Sequence, residues 1–190
     1  MDYDTIFKYA KELKELPYSL GDKARILVQE DKETYQLLLA DEPVQANLTQ
    51  ISGSADYAKS ALVASDYNYM IIAQSPYIAI SAQEGKDLPA VLDDMGMIIG
   101  LKAPVTGLSA PAITKGLRRT RACICSDGYA LCCGTDMYEA FTCHTILAKD
   151  AEIYHKAKVL GGAKPIHFIA GLLENRVYKM KYSKLERSDK

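Results

Sequence analysis

What is scarce in this 190-residue chain narrows its function before any motif does. Excess charge is scarce: 23 Lys and Arg stand against 24 Asp and Glu, giving a formal net charge of −1 and a sequence pI near 6.3. No global basic field is therefore present to neutralise nucleic-acid phosphates. Long apolar runs are scarce too; "YMIIA" at 69–73 is about a strand long, whereas a membrane span needs roughly 20 apolar residues. The opening "MDYDTIFKYAKELKELP" is acidic at its start and alternates apolar with charged positions, unlike a secretory leader with its basic start and unbroken apolar core. Nucleic acid and membrane are accordingly excluded as expected partners, and the cytoplasm is the expected compartment. Neither a Walker or dinucleotide-type glycine loop nor a Gly-x-Ser-x-Gly elbow occurs. Histidine is limited to His144, His155 and His167.

What is present describes a folded domain. Hydrophobic residues at 48% and charged residues at 25% are far from the signature of disorder, and the length suits one substantial core. The expected organisation is one domain over 1–175 followed by a basic tail over 176–190, where six Lys or Arg face two acids. The stretch after Pro165 starts apolar and is expected to begin as a packed helix before fraying into that tail. Five cysteines lie between Cys123 and Cys143; in a reducing compartment they behave as small buried hydrophobes.

Ile6, Tyr9, Ala10, Leu13 and Leu16 fall on one helical face, which predicts an amphipathic helix over 4–16 with Asp4 as cap and Pro17 as stop. "ARILVQ" and "TYQLLLA", joined by "EDKE", read as a β-hairpin. "SADYAKSALVAS" has helical spacing, and "NYMIIAQ" is a strand of the kind buried on both faces. Ser75-Pro76 is a helix entry, with Ser accepting a free N–H and Pro having none to waste, and that helix runs towards Gly85. Asp87 and Pro89 predict a further helix through "AVLDDMGMI", ended by Gly100. "TRACIC" and "YALCC" read as strands around "SDG". Asp136 and Glu139 form a capping-box-like pair opening about 25 helical residues up to Gly161-Gly162. The expected fold class is α/β: a three-layer α/β/α domain with a central mixed, largely antiparallel sheet.

Chemistry is harder to place. His144 and His155, eleven residues apart on one helix, share a face but stand about 16 Å apart, too far for one metal. Glu152-x-x-His155 has the spacing of dimetal carboxylate bundles but lacks the second pair such sites need; His155 is expected at the surface, partly exposed. Cys123-x-Cys125 with Cys132-Cys133 resembles a zinc cluster in content only, because adjacent strand residues point to opposite faces. Asp93-Asp94 reads as a solvated helix face.

Two stretches do carry a resemblance. "QSPYIAISAQEGKDLPAVLDDMGMIIG" and "CSDGYALCCGTDMYEAFTCHTILAKDAEIYHKAKVLGGAKPI" resemble the class II aldolase/adducin family in the "SPY" step, "DLPA", the Ile-Ile-Gly ending, the glycine turn, the "EA" helix start and the closing "LGG-KP". The likeness covers roughly 50–166. It implies a zinc-dependent sugar-phosphate aldolase or epimerase in which a His-x-His before "SPY" and a third histidine at the turn hold the metal. Here Ile72 and Gln74 stand at the first two places and Gly128 at the third, or Asp127 with a one-residue shift. The catalytic acid of the family corresponds to the region of Ala55 and Asp56, and its Gly-Asn-x-Ser phosphate turn has no counterpart in "LGDKARILVQ". Neither Ile nor Gln is an adequate zinc ligand. The resemblance thus implies a degenerate member with no metal and no cofactor. It would serve as a binding or assembly module, as adducin-like heads do, with a small carbohydrate-like ligand and a homotetramer by analogy. The alternative is a sugar-phosphate aldolase or epimerase with altered chemistry, metal-dependent or metal-independent, that employs Gln74, Asp127 and Tyr129.

Overall fold

The computed structural model describes residues 2–39, 48–52, 56–118 and 120–167. The expected C-terminal helix and basic tail lie outside the described residues from 168 onward.

The chain opens with helix α1, Tyr3–Lys14. Its cap is Asp2, whose carboxylate accepts from the backbone N of Thr5; Asp4 sits instead in the first turn, where a negative charge favours the helix dipole. Either aspartate in "DYDT" could have served, and only the chain direction before the helix decides between them. Strands β1, Arg25–Glu30, and β2, Glu33–Leu38, form the hairpin, with Asp31 and Lys32 both at positive φ in a two-residue turn. Short β3, Thr49–Gln50, extends it.

Helix α2, Tyr57–Val63, starts at Asp56, which accepts from Ala58 and Lys59. Strand β4, Tyr69–Ala73, is buried almost throughout. Helix α3, Pro76–Glu84, begins at Ser75 and ends at Gly85 in the left-handed conformation. The predicted helix from Asp87 is corrected: Leu88–Pro89 form strand β5, and helix α4 covers only Asp93–Ile98, with Gly100 at positive φ behind it. β5 pairs with β6, Lys102–Ala103, and the Asp87 carboxylate takes Lys102 Nζ and the N–H of Val105. Those partners lie fifteen or more residues away, so an Asp and a Pro that look like a helix start are pulled into a strand pair by tertiary contact.

Strand β7, Val105–Thr106, and helix α5, Ala110–Leu117, follow. Then come strands β8, Ala122–Cys125, and β9, Ala130–Gly134, and helix α6, Met137–Val159. The main sheet runs β3-β2-β1-β4-β9-β8-β7, antiparallel throughout except for β7 against β8.

Strand alternation assigns the two faces. Ile26, Val28, Ile71, Ile124, Ala130 and Cys132 point towards α1, α3, α4 and α6. Leu27, Met70, Ile72, Cys123, Leu131 and Cys133 point towards α2 and α5. All five thiols are buried and unpaired by disulfides, with Cys132 and Cys133 on opposite faces as alternation requires. The result is the expected three-layer α/β/α arrangement with a mixed, largely antiparallel sheet.

Within α6, Asp136 caps the Glu139 N–H, but the Glu139 carboxylate reaches Thr135 rather than Asp136 and pairs with Arg121 at 2.9 Å. His144 is fully buried, its Nε2 3.2 Å from Tyr18 Oη, and burial lowers its pKa to about 4. His155 is not a surface residue: it is 6% exposed, with Nε2 2.8 Å from Ser81 Oγ. The spacing that places it on the His144 face is the reason, because α3 covers that face. Glu152 pairs with Lys156 and takes no part. Asp93 and Asp94 are exposed, as expected.

Candidate functional site

A cleft of about 360 Å³ opens where β1, β4 and the turn between β8 and β9 meet, lined by Lys23, Arg25, Leu38, Tyr57, Ile72 and Tyr129. Of the positions singled out from the sequence it includes Ile72 and Tyr129. Register builds it: Arg25 faces Ile72 across β1 and β4, and Ile72 faces Leu131 across β4 and β9.

Gln74 follows β4, its N–H held by the carbonyl of Leu20. Across from it lies Gly128, with φ at +91°, where a Cβ would come within 2.6 Å of the Gln74 carboxamide. Positions 74 and 128 therefore face each other, and the amide fills the space that a side chain at 128 would enter. Asp127 points elsewhere, with Oδ2 3.6 Å from Lys23 Nζ and Oδ1 taking the N–H of Tyr129 at 3.4 Å.

The remaining polar groups are tied to one another. Tyr129 donates to Asp22 at 2.7 Å and accepts the N–H of Lys23. That bond from the phenol holds the Asp22 carboxyl below the usual carboxylate range, and burial, then Asp22, raises the Tyr129 phenol. Gly21 makes the contact possible: at φ +83° a Cβ there would meet Tyr129 Oη at 2.3 Å. Arg25 bridges Asp56 at 2.7 Å and the Gln36 carboxamide at 3.0 Å. Burial pushes the Tyr57 phenol up to about 12, with Asp127 adding to the effect. At neutral pH both phenols are protonated donors.

Asp56 thus caps α2 and anchors Arg25, while neighbouring Ala55 lies outside the described residues. Sequence reasoning missed Asp22, Lys23, Arg25 and Tyr57. Arg25 carried a usable signal, being a lone cation at the head of an apolar strand; the others converge only through the fold.

Zinc does not fit. Ile72 offers no donor, Gly128 no side chain, and Gln74 one amide oxygen, where three neutral nitrogens or thiolates are the norm. Among the described residues no group of three or more His, Cys, Asp or Glu is placed to hold a metal ion. What the cleft offers instead is an aromatic wall of Tyr57 and Tyr129 rimmed by donors and acceptors. Such a surface can exchange its internal hydrogen bonds for those of a polar ligand.

No protein-family profile matches the chain, and no curated protein matches it by sequence. Solved structures do match in fold. An L-fuculose 1-phosphate aldolase superposes with a TM-score of 0.76 at 16% identity, covering 93% of this chain and 95% of its own. YgbL of Klebsiella pneumoniae, described as a putative aldolase/epimerase/decarboxylase, gives 0.73 at 14% identity over 89% and 95%. The N-terminal class II aldolase domain of a Thermoplasma acidophilum protein gives 0.57 at 10% over 82% and 94%. The fold of this chain is the class II aldolase fold.

Proposed function

We propose that the chain is a non-catalytic protein of class II aldolase fold that binds a small hydroxylated, carbohydrate-like molecule in the Ile72 cleft. One observation carries the reading: the three positions that the family resemblance assigns to imidazole ligands hold Ile72, Gln74 and Gly128, and the Gln74 carboxamide occupies the gap between 74 and 128. A metal-stabilised enediolate needs a Lewis acid at that point, and these groups provide no grip for one. The paired rim of Asp22, Lys23, Arg25, Asp56 and Tyr129 supplies alternating donors and acceptors of the kind that hydroxyl groups satisfy.

Assembly as a homotetramer belongs to the same reading by analogy with the fold relatives; light scattering that returned only a 21 kDa species would remove it.

The reading is tested by incubating the purified protein with L-fuculose 1-phosphate and added zinc and following aldehyde release. Background rates are expected. A second reading, altered chemistry at the same cleft, draws on Asp127, whose Oδ2 is buried without a hydrogen bond beside Lys23. Turnover lost on Asp127→Asn or Tyr129→Phe would replace the first reading with this one.

A further inference from the structure

A second and larger cleft, about 730 Å³, lies at the β7 edge of the sheet and shares no lining residue with the Ile72 cleft. Its walls are Lys102 and Pro104 with the following β7, one side of α5, and Thr120. The volume is within the range of small-molecule sites.

Its charge is unusual for this protein. From residue 95 to 126 the chain has no Asp or Glu but five cations, Lys102, Lys115, Arg118, Arg119 and Arg121, although the whole chain is close to neutral. Arg121 is turned inward to Glu139, and Arg119 lies outside the described residues. The other three line the cleft. Only one acid reaches it, Asp87, and both its oxygens are engaged by Lys102 Nζ and the Val105 N–H. Lys115 and Arg118 are in no ion pair among the described residues, and both are exposed. They stand three residues apart at the end of α5 and so lie on adjoining parts of one face, with Cβ atoms about 5–6 Å apart.

A cation pair at the end of a helix also complements the helix dipole, and that alone would explain two exposed side chains. It does not explain why they rim a cleft that has an apolar side, formed by Pro104, Val105 and Ala112, and hydroxyls at Thr106 and Thr120. A guanidinium fork beside an ammonium point charge matches a tetrahedral dianion better than a single carboxylate, and the apolar side can receive the rest of a molecule. From this geometry we infer that the β7-edge cleft is a binding site for a phosphorylated small molecule, its phosphate held by Lys115 and Arg118.

The test uses the full chain, isotope-labelled, titrated with inorganic pyrophosphate at constant ionic strength while backbone amide resonances are followed. Saturable shifts are expected at Gly107, Gly116 and Thr120. The double variant Lys115→Gln/Arg118→Gln should weaken binding about tenfold or more while lowering the melting temperature by only a few degrees, about what loss of two exposed charges at a helix end costs. Non-saturating shifts, shifts centred on Gly21 and Gly128, or unchanged affinity in the double variant would overturn the inference. So would tight binding of a random single-stranded oligonucleotide with no response to pyrophosphate, which would mark a general polyanion surface. None of these outcomes depends on whether the Ile72 cleft is catalytic.

Discussion

The interior beneath α6 and the Ile72 cleft handle buried polar groups in opposite ways. Under α6 three buried polar side chains are held by partners in the core: Glu139 by Arg121 and Thr135, Asp150 by the N–H groups of Val91 and Leu92, His144 by Tyr18. In the cleft the groups are tied in pairs, Arg25 with Asp56, Lys23 with Asp127 and Tyr129 with Asp22, and the Lys23 side chain is 62% exposed. The first arrangement holds the fold together; in the second the Lys23 pair, with its exposed ammonium, can be rearranged at little cost, whereas Arg25 and Asp56 are mostly buried and hold the cleft wall.

The comparison breaks most visibly at Glu139. Glu139→Ala would remove the carboxylate that faces the buried Arg121 guanidinium, and a loss of about 3–5 kcal/mol is expected, or roughly 10 °C in melting temperature for a chain of this size. Calorimetry showing less than about a third of that would place the Arg121 pair with the exchangeable group.

Next in size is a pair of opposed pH effects. His144 has its pKa depressed to about 4, so its unfolded form takes a proton first, and stability is lost as pH falls from about 6.5 towards 4, by about 3 kcal/mol if the shift is fully realised. Asp150 has its pKa raised to about 6 by burial, so its contribution runs the other way: the protonated folded form is favoured, and stability is lost as pH rises from about 4 through 6. Urea titrations at pH 5 and 7.5 should show a flatter acid limb for His144→Gln. Asp150→Asn, which keeps the oxygen that accepts both N–H groups, should gain on the wild type as pH is raised. Identical pH profiles for all three proteins would sink this assignment.

Smaller again is Asp56→Ala, which removes both the α2 cap and the Arg25 partner; about 1–2 kcal/mol is expected, and Asp56→Asn should recover most of it, because the cap survives. The smallest effect belongs to Lys23→Gln, at about 0.5 kcal/mol or less. If Lys23→Gln matched Asp56→Ala in denaturant midpoint, the cleft would be as structural as the core.

Much of the fold was legible in the sequence where local chemistry and tertiary role agree. The turn at Asp31-Lys32 between branched runs, the Ser75-Pro76 entry and the Asp136 cap each act within four residues. Residues 101–119 were not read at all: β6 and β7 are two residues each and exist only by pairing with distant strands, although Ser109 with Pro111 repeats the entry signal seen at Ser75-Pro76. Pro89 misled because a proline two residues after an aspartate fits a helix start as well as an edge strand. At the site, Ile72, Gln74 and Gly128 were expected from the family resemblance and Tyr129 as a neighbouring candidate; in the structure Gln74 lies against Gly128, and Ile72 and Tyr129 line one cleft. Asp22, Lys23 and Tyr57 were out of reach, since their meeting depends on the loop at Gly21 folding over Tyr129.

The most direct measurement is elemental analysis of the purified protein together with its melting temperature during zinc and manganese titration. A cation bound to the folded state stabilises it by mass action. The account predicts no stoichiometric metal and no rise in melting temperature with either ion; one equivalent of metal, with a rise abolished by Gln74→Ala, would contradict it.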